Sequence, residues 1–152
     1  MTLRAGDTAP DFELPDQHGV PRRLGVLLQE GPVVLFFYPA AQTPGCTKQS
    51  CHFRDLAGEF AAVGAQRVGI SRDAVDVQRG FAERYGFDYP LLADVDGEVA
   101  AAYGVKRGLL GKVAPVKRTT FVIGTDRTVR RVIASELDMN AHADRALAEL
   151  RG

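Results

Sequence analysis

Two thiols, Cys46 and Cys51, are the side chains in this 152-residue chain best suited to covalent chemistry. A cysteine is a nucleophile only as its thiolate, so its local setting matters more than its presence. The stretch Pro39-Ala40-Ala41-Gln42-Thr43-Pro44-Gly45-Cys46-Thr47-Lys48-Gln49-Ser50-Cys51 supplies such a setting. Thr43 suits a helix N-cap and Pro44 the first helical position, which places Cys46 third in the helix. There the unpaired backbone N–H groups and the positive end of the helix dipole favour a thiolate. A lone cysteine is commonly just a small buried apolar residue. The second cysteine and the strand–proline–threonine context weigh against that reading.

Ionisation alone does not make an enzyme. A free thiol is only a few per cent thiolate at pH 7, so full ionisation gains roughly 30-fold at most. Enzymes usually accelerate by at least about 10⁶, and other groups must therefore stabilise charge as it develops on the substrate. Thr43 offers a hydroxyl at the same helix end, and a fixed guanidinium is the natural complement. Cys51 lies five residues beyond Cys46, which in an intact helix puts the two Cα atoms ~8.6 Å apart. A disulfide rarely tolerates more than about 7 Å. A Cys46–Cys51 bond thus requires the first turns to unwind, a conformational step between oxidation and disulfide formation.

The elements around this stretch are legible from periodicity. Val33 to Tyr38, bounded by Gly31-Pro32 and Pro39, reads as a fully buried strand. A helix is expected from about Thr43 to Phe60, carried by Phe53, Leu56, Ala57 and Phe60. Arg67 to Ile70 is a second strand, and Val77, Phe81 and Tyr85 mark a helix stopped by Gly86. An extended piece at Tyr89 to Ala93, a turn at Asp94 to Gly97 and a short helix to Tyr103 follow. Gly104 to Lys117 reads as a basic loop. Thr119 to Ile123 and Thr128 to Ile133 read as a hairpin, and Ala141 to Leu150 as a closing helix. This order implies an α/β sandwich, parallel strands first and an antiparallel pair last.

Composition sets the outer bounds. The length suits one domain over residues 1–152, and 45% hydrophobic with 25% charged residues is ordinary for a globular protein. Nineteen basic and nineteen acidic residues balance, so nucleic acid and acidic membrane surfaces are not expected partners. Zero net charge and no obvious apolar patch favour a monomer. No run approaches the roughly 20 apolar residues of a membrane helix, and the first residues lack the apolar segment of a secretory leader. A cytoplasmic location is expected. Two cysteines are too few for a disulfide scaffold, and His18, His52 and His142 are scattered, which argues against a zinc ribbon.

With the strand directly before it, Pro39-x-x-x-Thr43-x-x-Cys46 resembles the active-site signature of the peroxiredoxins. Thr43-Pro44-Gly45-Cys46-Thr47-x-x-x-Cys51 with Phe53-Arg54-Asp55 is similar to the bacterioferritin comigratory protein subfamily, also called PrxQ. Gly6-Asp7-x-Ala9-Pro10-Asp11-Phe12, Val68-Gly69-Ile70-Ser71 and Arg118-Thr119-Thr120-Phe121-Val122-Ile123 extend the likeness over essentially the whole chain. The resemblance implies a thioredoxin-like fold of peroxiredoxin type, a central mixed sheet flanked by helices. It implies a thiol peroxidase acting on hydrogen peroxide and small organic hydroperoxides. Cys46 would be the peroxidatic cysteine that becomes a sulfenic acid, and Cys51 the resolving cysteine. Thr43 would bond the bound peroxide, Pro39 would shield the sulfur, and Arg118 would hold the thiolate and peroxide. Thioredoxin or a related dithiol would reduce the disulfide, and no metal or organic cofactor is implied. Gln49 stands where many relatives carry Glu, and Ala40, Ala41 and Gln42 lack a charged residue frequent there.

Taken without the resemblance, Arg118 reads as a solvated surface residue, Pro39 as a strand terminator and Thr43 as a cap. Two other function classes compete with a peroxidase: a thiol–disulfide oxidoreductase, and a non-catalytic interaction domain with passive thiols. The first normally carries Cys-x-x-Cys and a proline immediately before the late strand; here the spacing is Cys-x₄-Cys and Arg118-Thr119 occupies that place. Asp94-Val95-Asp96-Gly97 lacks the later ligands of a calcium loop and reads as a turn. The Lys106, Arg107, Lys112, Lys117 and Arg118 run reads as a solvated loop, and His52 as a flank that cannot face Cys51 on a helix.

Overall fold

In the computed structural model, which describes residues 1–107 and 116–152, the chain opens with a hairpin of β1 (Glu13–Pro15) and β2 (Pro21–Arg23) and a short α1 (Leu24–Leu27). There follow β3 (Val33–Phe37), α2 (Pro44–Asp55), α3 (Ala57–Ala62), β4 (Gln66–Ser71) and α4 (Val75–Tyr85). The remainder is β5 (Leu91–Ala93), α5 (Glu98–Ala102), β6 (Thr119–Ile123), β7 (Val129–Ala134) and α6 (Ala141–Arg151). Five strands form one mixed sheet in the order β5-β4-β3-β6-β7, with β3, β4 and β5 parallel and β6 and β7 antiparallel.

β3 is the central strand of that sheet, and every one of its residues is buried. A strand hidden on both faces has no use for polar alternation, which is why its sequence is a continuous apolar run. Its side chains instead divide between two cores. Val33, Leu35 and Phe37 join Leu24, Tyr103 and Phe121 on one face. Val34, Phe36 and Tyr38 join Cys46, Phe53, Phe81 and Leu147 on the other. The helices α2, α4 and α6 contribute to this second core, so the thiol helix lies directly on the central strand.

Phe36 of β3 stacks on Phe53 of α2, with ring centroids 4.1 Å apart and planes 7° from parallel. Such a pair adds about 1 kcal/mol to the burial of its rings and fixes the height of α2 over the sheet. The buried residues of α2 are Cys46, Gln49, Ser50 and Phe53. Their i, i+3, i+4, i+7 spacing is that of a core-facing stripe, yet only its end is strongly apolar. A helix does not put an amide and a hydroxyl on its core face for packing alone.

The expected helix from Thr43 to Phe60 is two helices. The backbone at Leu56 departs from helical geometry (φ −96°, ψ 20°), and α2 ends before α3 begins. Arg54 and Arg67 take up main-chain carbonyls nearby, Arg54 that of Tyr85 and Arg67 that of Phe53, the latter among the orphan carbonyls of the end of α2. The β1–β2 hairpin and α1 go beyond the elements expected from periodicity: the strands are three residues each and α1 only four, too short to show a period. Gly86 does stop α4, with the left-handed geometry (φ 66°) that a residue without a Cβ takes freely. Of the expected basic loop, Lys106 and Val116 bridge as antiparallel partners, while residues 108–115, Lys112 included, lie outside the described residues. Asp94 begins no calcium loop: its carboxylate oxygens accept from the Val99 and Ala100 amides at 3.2 and 2.9 Å, capping α5. Among the described residues no helix is long and apolar enough to cross a membrane.

Candidate active site

Cys46 sits in the first turn of α2, fully buried, with Thr43 at the N-cap and Pro44 at the first position. The first intrahelical bond of this turn runs from the Thr47 amide to the Thr43 carbonyl at 2.8 Å. The Gly45 and Cys46 amides precede it and are the unpaired donors of the helix end. Thr43 occupies the N-cap position without performing the usual cap, since its hydroxyl makes no bond to the helix amides. It donates instead to the Ala40 carbonyl at 2.7 Å. A hydroxyl has one proton and two lone pairs, so Thr43 Oγ1, exposed at the mouth of the site, remains an acceptor.

The chain reaches this turn through a fixed bend. Tyr38 and Pro39 leave β3, and the Ala41 amide donates to Asp73 Oδ2 at 2.8 Å. Ser71 Oγ donates to the same carboxylate oxygen at 2.7 Å, and Gln78 links Ser71 to the Tyr38 hydroxyl. Burial keeps the Tyr38 phenol far above its ordinary range, so it remains a donor to Gln78. Gln42 takes a left-handed backbone (φ 63°), uncommon for a residue with a side chain, and its amide oxygen is held by Arg84 at 3.0 Å. Strained backbone of this kind concentrates at functional sites. Nothing in a glutamine announces it.

Arg118 is not a solvated residue. It is 7% exposed, one residue before β6, and the antiparallel pairing of β6 with β3 brings it over the start of α2. A Cβ on Gly45 would lie 3.2 Å from Arg118 Nη2, so the guanidinium is stacked against the first turn where a glycine leaves room. Arg118 Nη1 donates to Gln49 Oε1 at 2.5 Å, and its backbone amide donates to Glu136 Oε1 at 2.9 Å. Arg118 Nε and Gln49 Nε2 are buried with no hydrogen-bond partner among the described residues. No carboxylate among the described residues forms an ion pair with Arg118. A buried cation with an unused donor beside a thiol is built to receive negative charge.

Cys51 is half-buried on the same helix, and both cysteines are free thiols. Burial pushes the Cys51 thiol up; Arg54 opposes this and Asp55 adds to it. His52 points away from Cys51 and meets Asp144 of α6 at 2.7 Å. The five sequence candidates therefore separate by place. Cys46 and Thr43 stand at the start of α2 with Arg118 packed on the same turn, Pro39 lies on the segment between β3 and that turn, and Cys51 lies further along α2. Gln49, Met139 against Gly45, Glu136 and Asp73 complete the surroundings; of these only Gln49 stands out in the sequence, as the position where many relatives carry Glu. Among the described residues no group of three or more His, Cys, Asp or Glu could hold a metal ion.

The chain matches the AhpC/TSA family over residues 5–132. It superimposes on the crystal structure of peroxidoxin BcpB from Mycobacterium tuberculosis with a TM-score of 0.94 and 70% identity, covering 98% of this chain and 97% of that one. The chloroplastic peroxiredoxin Q of Sedum lineare is 38% identical over 146 residues, 96% of this chain and 77% of that protein. The Xanthomonas campestris bacterioferritin comigratory protein, described for its alkyl peroxide reduction activity, aligns at a TM-score of 0.83 and 29% identity over 99% of this chain and 96% of that one.

Proposed function

Because this chain belongs to the AhpC/TSA family of peroxiredoxins, within its PrxQ branch, and is a peroxidase, we propose that Cys46 is its peroxidatic thiol and Cys51 the thiol that resolves it. The observation carrying this reading is the juxtaposition at the start of α2: a buried cysteine among unpaired amides, with the Arg118 guanidinium packed on the same turn.

In the first step the Cys46 thiolate attacks one peroxide oxygen. The S–O bond forms as the O–O bond breaks, and the leaving oxygen departs as hydroxide or alkoxide and takes up a proton. Thr43 Oγ1, its own proton committed to Ala40, accepts the peroxide O–H and orients the bond. Arg118, fixed by Gln49, meets the charge that moves from sulfur to the leaving oxygen. Pro39 closes the site from water at the end of β3. In the second step α2 unwinds, the Cys51 thiolate attacks the Cys46 sulfur, and hydroxide leaves, becoming water. Thioredoxin or a similar dithiol then reduces the disulfide by exchange. Hydrogen peroxide and small organic hydroperoxides are the substrates, and residues 1–152 act as one domain built on the single five-stranded sheet.

The test is rapid mixing of fully reduced protein with one equivalent of hydrogen peroxide, following peroxide and thiols together. Two thiols lost per peroxide and a Cys46–Cys51 linkage by peptide mass are expected. Consumption no faster than that by free cysteine would overturn the assignment of Cys46.

A further inference from the structure

The half of α2 that carries Cys51 is held from outside by side chains that take no part in the steps above. Tyr89, 4% exposed, donates its hydroxyl to the Ser50 carbonyl at 2.7 Å. Burial holds this phenol well above its ordinary range, so it donates at every working pH. Arg67 donates to the Phe53 carbonyl at 2.9 Å while gripping both oxygens of Asp88 at 2.9 and 2.8 Å. Its guanidinium also lies over the Tyr89 ring, 5.1 Å from the centroid. Gln17, itself buried, pins the clamp from behind, donating to the Tyr89 carbonyl at 3.1 Å and accepting from the Leu91 amide at 2.9 Å.

The two carbonyls differ in what unwinding asks of them. Ser50 lies inside the span that a Cys46–Cys51 bond would close, and Phe53 lies beyond it. Closing that span from ~8.6 Å to under about 7 Å destroys the helical position of the Ser50 carbonyl. The Tyr89 bond must then break. The Arg67 bond need not, and together with the break at Leu56 it keeps the unwinding from spreading toward α3.

We propose that Tyr89 is a positioning residue for resolution, its hydroxyl latching the Ser50 carbonyl so that the strength of this one bond sets how fast Cys46 and Cys51 join. The inference rests on the reading of Cys51 as the resolving thiol. A slow latch prolongs the life of the Cys46 sulfenic acid and so its exposure to a second peroxide, which would carry it to the sulfinic acid.

The test is Tyr89→Phe, which removes the hydroxyl and keeps the ring between Phe36 and Phe87. Rapid quenching with a thiol-alkylating reagent, followed by mass analysis, resolves sulfenic acid formation from disulfide formation. Loss of one neutral hydrogen bond predicts disulfide formation about 5-fold faster, equivalent to about 1 kcal/mol. Sulfenic acid formation should be unchanged, and the sulfinic fraction at excess peroxide about 5-fold lower. Hydrogen exchange at the 46–51 amides of the reduced variant should quicken by a similar factor. A merely structural role would move both chemical steps together, and that result overturns the latch, as does an unchanged disulfide rate in a variant whose parent does form the Cys46–Cys51 bond. A parent that forms no such bond overturns the resolving role of Cys51 and the latch with it.

Discussion

Arg118 and Gln49 show how much chemistry one pair of side chains can concentrate. A guanidinium stays charged under all working conditions, and here its buried partner is a neutral amide at 2.5 Å. The positive charge therefore remains available to the thiol end of α2. A carboxylate at position 49 would compete for it. Arg118→Ala is expected to slow peroxide consumption by about 10²- to 10³-fold, the scale seen when one preorganised charge-stabilising donor is removed. Arg118→Lys should recover only part of the loss, because an ammonium keeps the charge and loses the planar fork that reaches Gln49 and the first turn together. Stopped-flow peroxide consumption of both variants decides the point; full activity in Arg118→Lys would show that charge alone suffices. Gly45 belongs to the same arrangement, since a methyl there would press on Nη2 at 3.2 Å.

At the scale of elements, α2 must be both a rigid seat for Cys46 and a segment that gives way. Its residues divide these tasks. Phe53 anchors it by stacking on Phe36, and the His52–Asp144 contact ties it to α6. Its length stops at Leu56, so unwinding need not melt α3. Cys51 adds a dependence on pH whose sign follows from burial. The folded helix holds this thiol above its ordinary range, so the wound form is favoured fully below about pH 8.5 and loses that advantage as pH rises through it. Deprotonation also creates the attacking thiolate. Both effects act in one direction, and disulfide formation after a single equivalent of peroxide is expected to accelerate from pH 7 to pH 9. A flat profile measured by quenched alkylation would place the slow step elsewhere than in α2.

On the scale of the whole molecule, the sheet and α6 are joined by a buried histidine that the peroxide chemistry does not use. His142 is fully buried, with Nε2 donating to the Ser135 carbonyl at 2.9 Å and Nδ1 accepting from Thr120 Oγ1 at 2.8 Å. Burial chiefly pushes its protonation downward, the nearby Arg118 adds to this, and the Ser135 bond opposes it. The unfolded chain thus binds a proton near pH 6.5 that the folded one refuses, and stability falls as pH drops below that value. One such group changes stability by up to about 1.4 kcal/mol per pH unit, or ~3–6 °C in Tm for a chain of this size. Thermal melts between pH 7 and 5 should show the decline, and His142→Gln should flatten it. An equal slope in the variant would assign the acid sensitivity to other groups.

The same three scales separate what could be read in advance from what could not. The strand at Val33 to Tyr38, the place of Cys46 in the first turn and the stop at Gly86 depend on contiguous residues, and periodicity and capping chemistry disclose them. The sequence by itself determined that a thiol stands at a helix end after a buried strand, and its motifs pointed to a peroxiredoxin. It did not determine that the helix from Thr43 breaks at Leu56, or that the polar run before Leu24 pairs as a hairpin, because neither leaves a periodic signal. Tertiary structure alone decided the rest. Arg118 stands 72 residues from Cys46 in the chain, and only the antiparallel pairing of β6 beside β3 carries its guanidinium to Gly45. Tyr89 reaches Ser50, and Asp73 reaches Ala41, through the parallel pairing of β4 with β3 and of β5 with β4. A hydrogen bond depends on a separation of about 3 Å in space, and residue spacing along a chain encodes that distance only within a turn or two of helix.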